Sequence, residues 1–245
     1  YEILLGLVGS EMCIRDSCQL ARLIDDPDRA HARLAEAEAL ASAHGNVLPP
    51  QTAALLTETM ALLEEAGVAG LSLRRLAQRL GVSRAAPYHH FASKEALLAA
   101  VIEEGFSRLH SQTQAQSDGI TDPWQKLQVC GRIYLAFAME NPALYRLMMG
   151  NTVPHRADYD AIKVRSMGYY DELRQMIRGC IASGQTRHTD VELAAFTVWC
   201  GVHGLASLML DDIVARSPAD VDERAPHALI DAVLDGLVWG LRQAP

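Results

Sequence analysis

The sequence predicts an all-α protein with a small N-terminal helical domain and a larger C-terminal helical bundle. Apolar residues recur at helical spacing along nearly the whole chain, and no stretch shows the alternation that is typical of β-strands. Serine and aspartate residues suited to N-caps, and glycines suited to helix ends, divide this pattern into segments. The chain has 245 residues, of which 49% are apolar and 21% are charged. This composition excludes a disordered chain and a collagen-like fibre.

The first 48 residues are separated from the rest of the chain by their sequence character. The run Met12–Ser17 resembles a translated transposon end from DNA library preparation, so we expect residues 1–17 to be non-native. Residues 18–48 are an N-terminal extension, and its Ala-rich, charged stretch 20–44 predicts one exposed helix. Gly45-Asn46 and two prolines then break the chain.

Residues 49–110 predict a first domain of four short helices. Each boundary has a local signal, because glycine favours helix ends and serine favours N-caps. The predicted segments are a helix that ends at Gly67, a helix after the N-cap Ser72, a helix over about 83–90, and a helix capped by Ser93.

Residues 120–245 predict a second domain of longer helices. The polar stretch 110–121 is interpreted as a linker or a frayed helix end. Asp122-Pro123 is a strong helix start, because proline fits the first turn of a helix. The predicted helices are about 123–139, a short one after Pro142, 157–182, 190–211 and 226–243.

The apolar stretch Leu193–Leu210 has the length of a short membrane span and contains no Asp, Glu, Lys or Arg. Acidic residues flank it on both sides, and no basic residues orient it in a bilayer. We therefore predict a helix at a buried subunit interface.

The charge distribution points to a nucleic-acid partner. The whole chain carries a formal net charge of −8, which by itself disfavours binding to phosphate. Residues 70–94 contain four arginines, one lysine and no acid, so this window carries +5 and the remainder −13. A local basic surface on an acidic chain is typical of a DNA-binding protein.

The same window has the pattern of a helix-turn-helix. Two short helical segments flank Gly81, and the second presents mainly short side chains and Arg84. Such a helix fits deep into the major groove of DNA. A solvated basic face on an ordinary helical bundle is the alternative interpretation.

The stretch from Leu55 to about Val101, with LAQRLGVS, PYHHF and SKEALL, resembles the DNA-binding domain of the TetR/AcrR family. The resemblance implies that the start of the recognition helix faces base edges, at positions Ser83, Arg84, Ala85 and Ala86. It implies contacts with the phosphate backbone at Ser72, Tyr88, His89, His90 and Lys94. It implies core positions, without DNA contact, at Leu76, Leu80, Val82 and Phe91.

Pro87 departs from the family pattern, in which many members have Leu or Ile. Proline lacks an N–H group and is tolerated only near a helix start. We therefore expect a recognition helix that is distorted or starts late.

The C-terminal half, with TVWCGVHGLASL, resembles the family's ligand-domain type named for a Trp-His-Gly signature. The resemblance implies a homodimer paired through the last two long helices, and hence a pseudo-palindromic operator. Apolar helix faces suggest a site for a small apolar or amphipathic effector, although such faces also build cores. The candidate effector-binding residues are Tyr134, Phe137, Met148, Tyr169, Met176, Phe196, Trp199 and His203.

The leading functional hypothesis is therefore a ligand-responsive repressor, cytoplasmic because five scattered cysteines suit a reducing compartment. A transcriptional activator, or a regulator that responds to thiol oxidation or metal through Cys130, Cys180 and Cys200, remains the alternative. We expect no enzyme, since the hydrolase, metalloprotease and nucleotide-binding motifs are missing. We also expect no cofactor and no structural metal.

Overall fold

The computed structural model describes residues 50–154, 159–186 and 189–212. The predictions made for residues 1–17, 18–48 and 226–243 lie outside these ranges. The ranges contain α-helices as their regular elements, so the all-α class is confirmed for them. In chain order they are α1 (Pro50–Gly70), α2 (Leu73–Arg79), α3 (Ala86–His90), α4 (Lys94–Ser117), α5 (Pro123–Glu140), α6 (Pro142–Met149), α7 (Asp160–Ala182) and α8 (Val191–Leu210).

The chain divides into two compact units, and the division falls inside α4 between Glu104 and Gly105. The described part of the first unit is residues 50–104 and 150–154. The second unit contains the other described residues, from Gly105 onward.

In the first unit, α1 packs against α2, and α2 packs against α3. The helix α1 is kinked at Gly67, whose φ of 61° and ψ of −178° are not helical, which corresponds to the helix end predicted there. The core is aliphatic, and its fully buried side chains include Leu62, Leu63, Leu76, Leu97 and Ile102.

In the second unit, α5 packs against α6, α7 and α8. Its N-cap Asp122 accepts a hydrogen bond from the backbone N–H of Trp124, and Pro123 lies in the first turn, as predicted. A Cβ atom at Gly105 would lie 2.5 Å from Sδ of Met148, so this glycine allows α4 and α6 to approach closely. The fully buried side chains include Leu109, Leu135, Phe137, Leu147 and Met148.

Of the two interpretations of residues 110–121, the linker is wrong for the first eight residues, which continue α4 to Ser117. Thr113 and Ser117 are one helical turn apart and are 3% exposed each. The Thr113 hydroxyl lies 3.5 Å from that of Tyr169. The polar composition of this stretch is typical of a loop. It does not reveal that the hydroxyls are buried against partners from another helix.

The helix α8 is, among the described helices, the one long and apolar enough to cross a membrane, and a third of its apolar window is buried. Its exposed apolar side chains include Leu193, Phe196 and Leu208. A helix at a core or subunit interface of a soluble protein has the same composition.

Candidate nucleic-acid interface and aromatic cluster

The turn between α2 and α3 has the local geometry that the sequence predicts. Ser72 is the N-cap of α2, and its Oγ accepts a hydrogen bond of 3.1 Å from the backbone N–H of Arg75. Gly81 follows α2 with a φ of 66°. The N–H of Val82 donates to the carbonyl of Ala77 at 3.0 Å, which closes the end of the helix. Positive φ at this point favours glycine because it lacks a Cβ atom.

The recognition helix α3 starts late, as Pro87 predicts. It covers Ala86–His90, with Ala85 as an N-cap that provides no side-chain hydrogen bond. Ser83 does not cap the helix and lies in the preceding turn with the exposed residues Arg84 and Ala85. Of the four residues expected at base edges, three therefore precede the helix, and Ala86 opens it half-buried.

The inner side of α3 anchors it to the unit's core. Pro87 is buried, and Phe91 directly after the helix is 7% exposed. Leu76 and Leu80, expected as core positions, are buried, whereas Val82 is half-buried.

The outer side of α3 and the turn before it present Arg84, Tyr88 and His89. All three are exposed, and the Tyr88 side chain is 56% exposed. Within the described ranges, none of these three side chains makes a hydrogen bond or an ion pair, and neither does the side chain of Arg74 on α2. The exposed Tyr88 and the unpaired side chain of Arg84 are therefore available for contacts with another molecule.

The other cations of the basic window interact with α1. Arg79 forms an ion pair of 2.6 Å with the buried carboxylate of Glu58 and a second one with Glu65. The guanidinium of Arg75 donates to the Gly70 carbonyl at 3.1 Å. The formal charge of +5 therefore overstates the outward-facing positive charge. Sequence reasoning missed Glu58 and Glu65 because both lie outside the window, although their spacing of seven places them on one face of α1.

Lys94 also contacts the end of α1. Lys94 is the first residue of α4, and its Nζ donates a hydrogen bond of 2.6 Å to the Val68 carbonyl. An ammonium group has three donor hydrogens, so this contact leaves hydrogens available for a phosphate oxygen.

His90, at the C-terminal end of α3, contacts α1. Its Nδ1 lies 3.1 Å from Oγ1 of Thr52. Partial burial and the neighbouring His89 lower the pKa of His90 below its usual value, so the neutral imidazole predominates at pH 7.

In the second unit, Tyr134, Tyr145 and His203 form a hydrogen-bonded cluster. Nδ1 of His203 lies 2.6 Å from Oη of Tyr145 and 3.2 Å from Oη of Tyr134, and the two hydroxyls are 3.0 Å apart. Sequence reasoning missed Tyr145, although it follows Leu144 on a short helix whose buried face also contains Met148. These three side chains connect α5, α6 and α8.

Further aromatic rings extend this cluster. The Trp199 ring stacks on His203 with centroids 5.5 Å apart, and the Tyr169 ring stacks on Tyr134 at 6.5 Å. Phe196 packs on Trp199 at 6.0 Å, and these two side chains are 52% and 37% exposed. Five of the eight predicted effector-binding residues are thus brought together: Tyr134, Tyr169, Phe196, Trp199 and His203.

The remaining three predicted effector-binding residues have other surroundings. Phe137 and Met148 are fully buried among core side chains, and Met176 on α7 is half-buried.

Burial keeps the cluster uncharged at neutral pH. It raises the pKa of the Tyr134, Tyr145 and Tyr169 hydroxyls and lowers the pKa of His203. The cluster can therefore offer hydroxyl and imidazole donors and aromatic faces, but no formal charge.

Comparison with known proteins relates both halves of the chain to bacterial regulators. Residues 55–101 match the family described as bacterial regulatory proteins, tetR family. Residues 127–233 match the family described as tetracyclin repressor-like, C-terminal domain. The Trp-His-Gly type stays a prediction.

Individual relatives agree with these matches. The nucleoid occlusion factor SlmA of Marinobacter nauticus is 27% identical over 142 residues, which are 58% of this chain and 72% of the relative. An HTH-type transcriptional regulator of Mycobacterium bovis is 32% identical over 130 residues, or 51% of this chain and 54% of the relative. The chain thus spans about half the length of that regulator.

Solved structures with the same fold include a protein of unknown function from a Rhodococcus species. It is 28% identical, with a TM-score of 0.64 over 77% of this chain and 94% of that one. The TetR family transcriptional regulator PfmR from Thermus thermophilus is 25% identical, with a TM-score of 0.55 over 77% of this chain and 99% of that one.

Proposed function

Because this chain belongs to the tetR family of bacterial regulatory proteins, which are DNA-binding transcriptional regulators and not enzymes, we propose that it is a cytoplasmic repressor that a small effector releases from its operator. The observation that carries the proposal is the outer side of α3 and of the turn before it. There Arg84, Tyr88 and His89 are exposed without partners among the described residues, beside a helix-turn-helix turn. Side chains in this arrangement suit the major groove and its flanking phosphates.

The proposed DNA contacts fall into two classes. Ser83, Arg84, Ala85 and Ala86 face base edges, while the residues that face phosphates are Ser72, Tyr88, His89, His90 and Lys94. Two features support this division. The turn that contains the base-facing residues is exposed, and the phosphate-facing residues carry hydrogen-bond donors.

The proposed effector is small, and apolar or amphipathic, and binds beside the Tyr134–Tyr145–His203 cluster. Aromatic faces and a few uncharged donors suit such a ligand. The full proposed lining is Tyr134, Phe137, Met148, Tyr169, Met176, Phe196, Trp199 and His203. Effector binding releases DNA only if the effector has a higher affinity for the conformation that does not bind DNA than for the one that does.

The proposed assembly is a homodimer in which α8 contributes to the interface. The exposed Leu193 and Leu208 on α8 support this arrangement. A two-fold dimer presents two copies of α3, which matches a pseudo-palindromic operator with half-sites about 34–36 Å apart or a multiple of that distance.

Two of the three described cysteines give a thiol-responsive regulator no support, whereas Cys200 is exposed. Cys130 and Cys180 are buried, and burial raises the pKa of each thiol to about 11, which disfavours the reactive thiolate. The described ranges also contain no group of three His, Cys, Asp or Glu side chains placed to bind a metal ion. An activator would use the same DNA contacts.

A comparison of Arg84→Ala with Lys94→Ala tests the proposal. Fluorescence anisotropy would measure binding to a duplex from the gene's own upstream region and to a random duplex, over a range of salt concentrations. Arg84→Ala should reduce the preference for the upstream duplex. Lys94→Ala should weaken binding to both duplexes alike and lower the salt slope by about one.

Arg178→Ala is the matched control, because it removes an exposed arginine of α7 that has no partner within the described ranges. It should bind both duplexes like the wild type. Absence of wild-type binding to the upstream duplex at low salt would refute the proposed function. Equal effects of the two test variants on both duplexes would refute the division between base and phosphate contacts.

A further inference from the structure

A side-chain hydrogen bond connects the start of α1 to the end of the recognition helix. Thr52 is the third residue of α1, and His90 is the last residue of α3. Oγ1 of Thr52 lies 3.1 Å from Nδ1 of His90, across 38 residues of sequence. Thr52 is half-buried, whereas His90 is exposed. The bond therefore fixes one edge of an imidazole whose other edge is open.

The protonation state of the imidazole determines which group donates in this hydrogen bond. At neutral pH one ring nitrogen carries the proton and the other accepts a hydrogen bond. The partner of one nitrogen determines which nitrogen carries the proton. If the Thr52 hydroxyl donates to Nδ1, the proton is on Nε2, at the open edge.

A DNA phosphate requires a donor at that open edge. A neutral imidazole with its proton on Nδ1 would present a lone pair to the phosphate, which is repulsive. The same ring with its proton on Nε2 donates a hydrogen bond without needing a positive charge.

We propose that Thr52 is a positioning residue for DNA binding: its hydroxyl donates to Nδ1 of His90, orients the ring and leaves Nε2–H directed at a DNA phosphate. The inference rests on the proposed function, because it concerns a contact of the DNA-bound state. It assigns a role to the first turn of α1, which lies outside the helix-turn-helix.

His89 does not share this arrangement. It has no hydrogen-bond partner within the described ranges, so its ring orientation is not fixed before DNA binds. Its proximity also disfavours a protonated His90. His90 therefore acts as a pre-oriented neutral donor, which reduces the side-chain entropy lost on binding.

Variants of Thr52 test the proposal through the hydroxyl alone. Thr52→Val keeps the shape of the side chain but removes the hydroxyl, and Thr52→Ser keeps the hydroxyl. By anisotropy with the upstream and random duplexes, Thr52→Val should bind both about fivefold more weakly, the loss expected for one ordinary hydrogen bond. Thr52→Ser should bind like the wild type.

A double-mutant cycle with His90→Ala separates positioning from a general effect on the fold. In the His90→Ala background, Thr52→Val should cause no further loss, because the two residues act through one contact. A full additional loss in that background would overturn the proposal. So would wild-type binding by Thr52→Val, or equal losses for Thr52→Val and Thr52→Ser.

Nitrogen NMR on the DNA-free protein tests the Thr52–His90 hydrogen bond independently of DNA binding. At pH 7.5, His90 should show a protonated Nε2 and an unprotonated, hydrogen-bonded Nδ1, and Thr52→Val should lose the hydrogen-bond signature at Nδ1. A proton on Nδ1 in the wild type would overturn the inference. If the wild type shows the expected pattern but binds neither duplex, the proposed function fails while the Thr52–His90 contact stands.

Discussion

Serine caps and arginine partners differ in how far they can be predicted from sequence. The caps at Ser72 and Ser93 depend on backbone N–H groups two or three residues away, and both form as expected. The ion pairs of Arg79 depend on how α1 packs on α2, so its carboxylate partners are up to 21 residues away in sequence. Counting charges in a window shows that a basic segment exists but does not show which cations face outward.

The same limit applies to the aromatic cluster. Helical periodicity identified His203 and Tyr134 as inward-facing candidates, but it could not pair them, since they are 69 residues apart. Tyr145 was missed because its role depends on α6 packing near α8 and not on its own segment.

His203 should make the stability of the second unit depend on pH. Burial lowers its pKa in the folded state below the unfolded value, so the unfolded chain binds more protons between these two values. Stability should therefore decrease as the pH falls below about 6.5 and through the folded pKa. Urea unfolding at several pH values should show a shallower decrease for His203→Gln than for the wild type.

The internal control for this measurement is the range above about pH 7.5, where the imidazole is neutral in both states. There the difference in stability between His203→Gln and the wild type should be constant. An unchanged slope between about pH 5.5 and 7 in the variant would contradict the assignment to His203.

At the scale of elements, local signals predicted the boundaries that depend on the backbone itself. Pro87 cannot donate a backbone hydrogen bond, and α3 accordingly starts at Ala86 and not near residue 83. The sequence left the extension of α4 through Thr113 to Ser117 open between a linker and a frayed helix end, because its polar residues are stabilised by contacts with other helices. Elements that need tertiary contacts are therefore the ones that sequence reasoning misplaces.

Gly81→Ala should destabilise the first unit through the turn between α2 and α3. Gly81 has a φ of 66°, where an L-residue with a Cβ atom is strained by about 1–2 kcal/mol. The variant should have a lower urea midpoint and weaker DNA binding, because the turn fixes the angle between the two helices. Gly81→Asn should lose less, since asparagine tolerates this conformation better.

Gly168→Ala is the matched control for the glycine substitution. Gly168 lies inside α7, and a Cβ atom there meets nothing within 4 Å. Alanine should therefore raise stability by roughly 0.5–1 kcal/mol. A stabilising Gly81→Ala would show that the positive φ does not constrain the turn.

At the scale of the whole molecule, charge and apolar surface are separated along the chain. The basic window belongs to the first unit, while the exposed apolar side chains of α8 belong to the second. The sequence predicted this division from composition alone, because a +5 window within a chain of net −8 is visible without a structure. It could not show how much of the apolar helix stays exposed, which depends on packing against α5 and α7.

Leu208→Asp should separate the dimer and thereby weaken operator binding. Leu208 is 44% exposed on α8 and lies outside the proposed effector lining, and a carboxylate placed in an apolar interface is desolvated without a partner. Sedimentation should show a dimer for the wild type and a shift toward the 26.8 kDa monomer for the variant. Affinity for a duplex with two half-sites should decrease more than affinity for a single half-site, because only the dimer contacts both.

Val164→Asp on α7 is the matched control, since Val164 is 68% exposed but lies outside the proposed interface. Dissociation by both variants, or by neither, would contradict an interface formed by α8.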